Sequence, residues 1–149
     1  MNPWQSDVRA FHEKFGVPVG KQINLNDTEL RATLILEEAC ETIAAMGLAV
    51  DAELYRPSPG GDVRLLAFSE GAEQADVTFV ADGLADLIYV AIGAAVSFGI
   101  DLDPIFAEVH RTNMLKVGGA TREDGKILKP AGWEPPRILE ALLKQAAHP

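Results

Sequence analysis

The chain holds one cysteine, two tryptophans and three histidines in 149 residues. A single cysteine, Cys40, excludes an internal disulfide and fits a reducing cytoplasm. Cys40 reads as a small buried thiol. His12, His110 and His148 all lack a glutamate three residues earlier, which excludes the Glu-x-x-His pairs of a di-iron helical bundle. Positive charge is also short. Thirteen Lys and Arg against 22 Asp and Glu leave a formal net charge of −9, which argues against general nucleic-acid binding. The longest apolar run, Leu87 to Ile100, starts directly after Asp86 and is interrupted by Gly93, Ser97 and Gly99. It reads as a buried helix and not as a membrane span. The opening residues, Met1 to Asp7, lack the basic-then-apolar layout of a signal peptide.

What is present is enough to build a core. Apolar residues make up 48% of the chain, and the length suggests one domain over residues 1–149. Asn2-Pro3 opens a first helix, in which Val8, Phe11, His12 and Phe15 recur at helical spacing until Gly16. His12 reads as a structural residue held by a hydrogen bond. Asn26 and Glu29 have capping-box spacing, so a second helix is predicted from about Asp27 to Met46 or Ala49. Residues 52–74 form an irregular insertion with the character of a lid, broken by Arg56-Pro57-Ser58-Pro59-Gly60-Gly61. Within it Val63 to Phe68 reads as a short strand or loop edge. A third helix is predicted from about Ala75 or Asp76 to Ser97, and a fourth with Asp103 as N-cap and Pro104 at its first position. Residues 117–136 read as a C-terminal loop, with Asp124-Gly125 as a hairpin turn. A last helix is expected from Arg137 to about Gln145. The pattern is all-α: an antiparallel bundle of about five helices, completed by oligomerisation because its apolar faces outnumber the helices able to cover them.

The second and third helices carry the chemistry. Leu30, Leu34, Glu38, Glu41 and Ala45 share one face, so Glu38 and Glu41 stand where leucines belong. Glu37 lies about 100° round the helix and borders the same site. On the third helix Asp82 and Asp86, about 40° apart on the wheel, share a face with Phe79 and Val90. Solvated acids would lie opposite the apolar stripe, and these lie in it. Carboxylates in apolar surroundings need a positive partner. An all-oxygen donor set selects a hard cation, Mg²⁺, Mn²⁺ or Ca²⁺. Such a site suits phosphate-bond chemistry, with an additional carboxylate such as Glu37 to orient water or accept its proton.

Cations gather in the C-terminal third: Arg111, Lys116, Arg122, Lys126 and Lys129. Asn113 and Lys116 fall on one helix face, where they suit a phosphate or sugar oxygen. They equally suit the negative end of a helix dipole.

Glu37-Glu38-Ala39-Cys40-Glu41, Asp86 with Leu87-Ile88-Tyr89-Val90, His110 to Lys116, and Asp124-Gly125-Lys126 with Lys129, Trp133 and Pro135-Pro136 together resemble the MazG-like all-α nucleoside triphosphate pyrophosphohydrolases. The similarity is nearest to the phosphoribosyl-ATP pyrophosphohydrolase-like branch, close to the dimeric dUTPases. It implies Mg²⁺-dependent hydrolysis, with Mn²⁺ able to substitute, of a nucleoside triphosphate to monophosphate and pyrophosphate. Glu38, Glu41 and Asp86 would hold the metal with Asp82 as a fourth ligand, and Glu37 would be catalytic. Arg111, Asn113, Lys116, Lys126 and Lys129 would bind substrate, Arg111 having an intersubunit pair as its alternative. The resemblance also implies a homodimer or homotetramer in the cytoplasm, without nucleic-acid or membrane partners. The expected role is nucleotide-pool house-cleaning on dUTP or a non-standard nucleotide. The alternatives are the phosphoribosyl-ATP reaction of histidine biosynthesis and, in another class, a non-catalytic helical protein that binds a nucleotide or a partner. The chain departs from the family pattern at one point: the glutamate expected three residues before Asp86 falls on Gly83, with Asp82 one residue earlier.

Overall fold

Helix α1 (Pro3–Phe15) begins as its first residues dictate. The Asn2 side chain accepts from the Gln5 backbone N–H at 2.9 Å, and Pro3 enters the first turn, where its missing N–H costs nothing. Gly16, at φ 70°, ends the helix in the left-handed conformation. The computed structural model describes residues 2–20, 25–51, 67–71, 74–123 and 125–147. Four more helices follow, α2 (Leu25–Ala45), α3 (Val77–Phe98), α4 (Leu102–Met114) and α5 (Ile138–Ala147), with two short strands, β1 (Leu48–Asp51) and β2 (Ala67–Glu70). The fold is all-α, and the strands are a small addition to it. The chain divides into two units, Met1–Lys21 with Ala95–Pro149, and Gln22–Ala94.

The first unit is pinned by side chains that reach backbone. Gln5, 2% exposed, donates to the Ile100 carbonyl at 2.6 Å and accepts from the Leu102 N–H at 3.0 Å. Gln145 on α5 bonds both the N–H and the carbonyl of Asp101, at 3.2 and 2.7 Å. His12 is buried, and its Nδ1–H donates to the Pro18 carbonyl at 3.0 Å, which agrees with the structural role expected of it. Val8, Ala95 and Val96 are buried here, beside the buried polar residues Gln5, His12, Ser97 and Thr112.

In the second unit, α2 leads through Gly47 into β1, which pairs antiparallel with β2 in the register Leu48↔Glu70 to Asp51↔Ala67. The Asp76 N–H donates to the Ala45 carbonyl at 3.0 Å and ties the start of α3 to the end of α2. Among the described residues, α3 is long and apolar enough by composition to cross a membrane. Asp86, near its middle, would cost about 3 kcal/mol at a bilayer centre, and Asp82 adds a second charge in its first half.

Several boundaries differ from the sequence expectation. The second helix starts at Leu25, so Asn26 lies inside its first turn and is not the cap. Asp101, not Asp103, caps α4: its side chain accepts from the Asp103 N–H at 3.1 Å, and Pro104 sits at the third helical position. Both aspartates have cap chemistry, and the chain at the earlier one is held by Gln5 and Gln145. β1 takes residues assigned to the end of the second helix. β2 begins in the stretch read as strand or loop edge, while most of the insertion, 52–66 and 72–73, lies outside the described residues. The Asp124-Gly125 turn is supported by an antiparallel bridge between Thr121 and Ile127 and by Gly125 at φ 85°; Asp124 itself lies outside the described residues. Cys40 is exposed and not buried: it lines an open groove shared with residues of α3.

Candidate active site

The acids of α2 and α3 fall in the second unit. Glu37, Glu38 and Glu41 occupy one helical turn, with Glu38 half-buried and the other two exposed. Asp82 and Asp86 are both exposed on α3. Where the helices meet, Thr42, 3% exposed, packs against Gly83, and its hydroxyl donates to the Glu38 carbonyl at 2.7 Å. Beside this contact lies an open groove of about 720 Å³, lined among others by Glu38, Glu41, Asp82, Asp86 and Cys40. Glu37 is not among its lining residues.

The electrostatics of Glu38 show how these groups act on one another. Its carboxyl is raised above the usual value, first by partial burial and then by the negative charges of Glu41, Asp86, Glu37 and Asp82. Each of the other four acids therefore lies near enough to disfavour ionisation of Glu38. Among the described residues, none of the five takes part in an ion pair. No three of them are drawn close enough to ligate a metal as they stand. The donor set is nevertheless suited to a hard divalent cation: every donor is a carboxylate oxygen, and the group lacks positive charge. Glu38, Glu41, Asp82 and Asp86 are the residues that could hold it.

The cationic candidates lie in the first unit. Arg111 is forked on Glu108, its Nε and Nη2 donating to the two carboxylate oxygens at 2.7 Å each. Glu108 also accepts the Arg137 N–H at 2.9 Å, and these contacts, Arg111 first, hold its carboxyl down to about 2. Lys129 rests over the Trp133 ring, 4.5 Å from its centroid, and the Trp133 Nε1–H donates to the Thr112 carbonyl at 2.8 Å. Asn113 and Lys126 are exposed and Lys116 is half-buried. A second cavity of about 850 Å³ is lined by Glu108, Arg111, Trp133 and Arg137, but not by Asn113, Lys116, Lys126 or Lys129. The structure thus gathers the acids into one groove, while the cationic candidates are dispersed over the end of α4 and the turns after it.

Sequence reasoning did not single out Thr42, Glu108 or Trp133 for these contacts. Glu108 and Arg111, three residues apart on a helix, were legible as a pair. Thr42 carried no signal, because its partner is Gly83, on another helix.

No curated protein matches the chain in a sequence search. The family described as phosphoribosyl-ATP pyrophosphohydrolase matches residues 8–113, more than half of the chain. The match spans all five acids, Arg111 and Asn113, and stops before Lys116, Lys126 and Lys129. On this evidence the chain belongs to the phosphoribosyl-ATP pyrophosphohydrolase family, within the MazG-like superfamily, and is a pyrophosphohydrolase acting on an acid anhydride.

Proposed function

We propose that the protein hydrolyses a nucleotide anhydride to monophosphate and pyrophosphate with Mg²⁺ bound at the acidic groove, Mn²⁺ being able to replace it. The observation that carries this reading is the groove lined by Glu38, Glu41, Asp82 and Asp86, with no ion pair to any of the four among the described residues. When bound, a divalent cation supplies positive charge against the polyphosphate. The residues of the chain divide the remaining work. Glu38, Glu41, Asp82 and Asp86 hold the cation. Glu37, one residue from Glu38, orients a water and accepts its proton. Asn113, Lys116, Lys126 and Lys129 contact phosphate or sugar oxygens. Arg111 joins them only by exchanging the Glu108 carboxylate for a phosphate, which presents the same bidentate acceptor geometry.

Two substrate readings stand. dUTP or a non-standard nucleoside triphosphate fits a house-cleaning role. Phosphoribosyl-ATP, in histidine biosynthesis, fits the family match at least as well. A panel of both classes, assayed separately for pyrophosphate and inorganic phosphate, decides between them. Absence of pyrophosphate release from every member, with Mg²⁺ or Mn²⁺ present, would overturn the whole reading.

We further propose that residues 1–149 act as one catalytic domain in the cytoplasm, without nucleic-acid or membrane partners, and assemble as a homodimer or homotetramer. The support for assembly is the apolar surface left open: Val77, Phe106, Leu139 and Leu36 are 81%, 72%, 69% and 65% exposed. Sedimentation equilibrium tests it, and a monomer at micromolar concentration would rule it out.

A further inference from the structure

Gly83 lies inside α3, where glycine is a poor helix former. The reason for a glycine there is steric. A Cβ at this position would lie 2.7 Å from Thr42 Oγ1, 3.1 Å from Thr42 Cα and 3.3 Å from Thr42 Cβ. The approach to Cα is to backbone, so no rotamer of Thr42 relieves it. Thr42 is itself fixed, buried and with its hydroxyl bonded to the Glu38 carbonyl. The contact is flanked directly by Glu41 on α2 and Asp82 on α3. Glu38 and Asp86 lie about one helical turn from it. The place where the helices touch is therefore the place from which the acids of both helices are aimed. Asp82, one methylene shorter than a glutamate, depends on that closeness most.

We infer that the Thr42–Gly83 contact is the positioning element of the acidic groove: with no side chain at 83, α3 approaches α2 closely enough for Asp82 and Asp86 to serve the same cation as Glu38 and Glu41. Neither Thr42 nor Gly83 touches the cation in this arrangement. They act through the carboxylates beside them. The inference rests on the divalent-cation reading of the groove, and it assigns to this contact the fourth ligand that the chain otherwise lacks.

The test is titration of the full chain with Mn²⁺ alone, followed by calorimetry, with helicity and thermal unfolding measured on each variant. Wild type is expected to bind. Asp82→Asn, at an exposed position that does not endanger folding, is expected to lose about tenfold or more in affinity, as removal of a carboxylate near a metal does. Gly83→Ala is expected to weaken binding by a similar factor at wild-type helicity. Thr42→Ala/Gly83→Ala removes the Oγ1 that the new methyl would strike but leaves Thr42 Cα 3.1 Å away, and is expected to recover only part of that loss. Wild type without Mn²⁺ affinity would overturn the cation reading and this inference together. Wild type that binds, with Asp82→Asn or a folded Gly83→Ala binding equally well, would overturn the inference alone. So would a folded double variant that binds as tightly as wild type, because the approach to the Thr42 backbone is unchanged in it. If Gly83→Ala does not fold, Asp82→Asn decides.

Discussion

In the second unit the charges of four carboxylates act on Glu38 with no ion pair to any of the five among the described residues, while in the first unit Arg111 is forked on Glu108 at 2.7 Å and Lys129 rests on the Trp133 ring at 4.5 Å. Both regions are charged and both lie on helices, but their charges are settled differently. Around α4 and α5 the charges find partners within the chain, so they hold its shape. On α2 and α3 the charges of one sign accumulate, so the chain by itself leaves them frustrated. Accumulated like charge is a cost, and the cation proposed for the groove would offset it. The contrast separates residues expected to move activity from residues expected to move stability.

The largest expected effect lies in the acidic groove. Glu38→Gln and Asp86→Asn keep shape and remove charge. Each should lower pyrophosphate release by about 10³-fold, the equivalent of several kcal/mol of lost charge stabilisation. A loss below tenfold, measured at saturating Mg²⁺, would erase the distinction between the two regions. Next comes metal linkage. Mg²⁺ at 100 times its dissociation constant should stabilise the wild type by about 2.7 kcal/mol, and chelation should remove that gain. Glu38→Gln should show a clearly smaller dependence in thermal unfolding.

Smaller effects are expected in the first unit, and they should fall on stability. Trp133→Phe removes the indole N–H from the Thr112 carbonyl and should cost about 1 kcal/mol by denaturant unfolding, with kcat unchanged. Glu108→Gln tests the Arg111 fork. The Glu108 carboxyl sits at about 2 in the folded chain against an ordinary value of 4.5. Its stabilisation is therefore complete above about pH 4.5 and is lost as pH falls towards about 2. Wild type should lose melting temperature across that window more steeply than Glu108→Gln. The effect is expected to be small because Arg111 is half exposed. Equal slopes would show that the fork contributes nothing to the fold.

The helices were legible because their signals are local. Asn2-Pro3 and Gly16 bound α1 in the sequence as they do in the structure. Val77–Phe98 departs by about one or two residues from the span read from its periodicity. Where two residues shared the same chemistry, the choice was not local. Asp101 and Asp103 can both cap a helix, and the chain at Asp101 is held by Gln5 and Gln145, which are distant in sequence. β1 was missed for a related reason. Four residues, Leu48–Asp51, are too few to show a period, and their partner at Ala67–Glu70 lies across a long connection. The buried thiol expected at Cys40 failed because burial depends on which elements cover α2.

The acidic groove divides in the same way. The sequence alone determined that Glu38 and Glu41 share one face of α2 and that Asp82 and Asp86 share one face of α3, because helix geometry fixes the direction of side chains one turn apart. It also determined the imbalance of charge on which the proposed cation rests. Only the tertiary structure decided that the two acidic faces border the same groove, and that Gly83 is the point at which Thr42 meets α3. A glycine in a helix reads in sequence as a loss of propensity. That it is also an absence of bulk becomes visible only when another helix occupies the space, because close packing is a property of two surfaces and not of one.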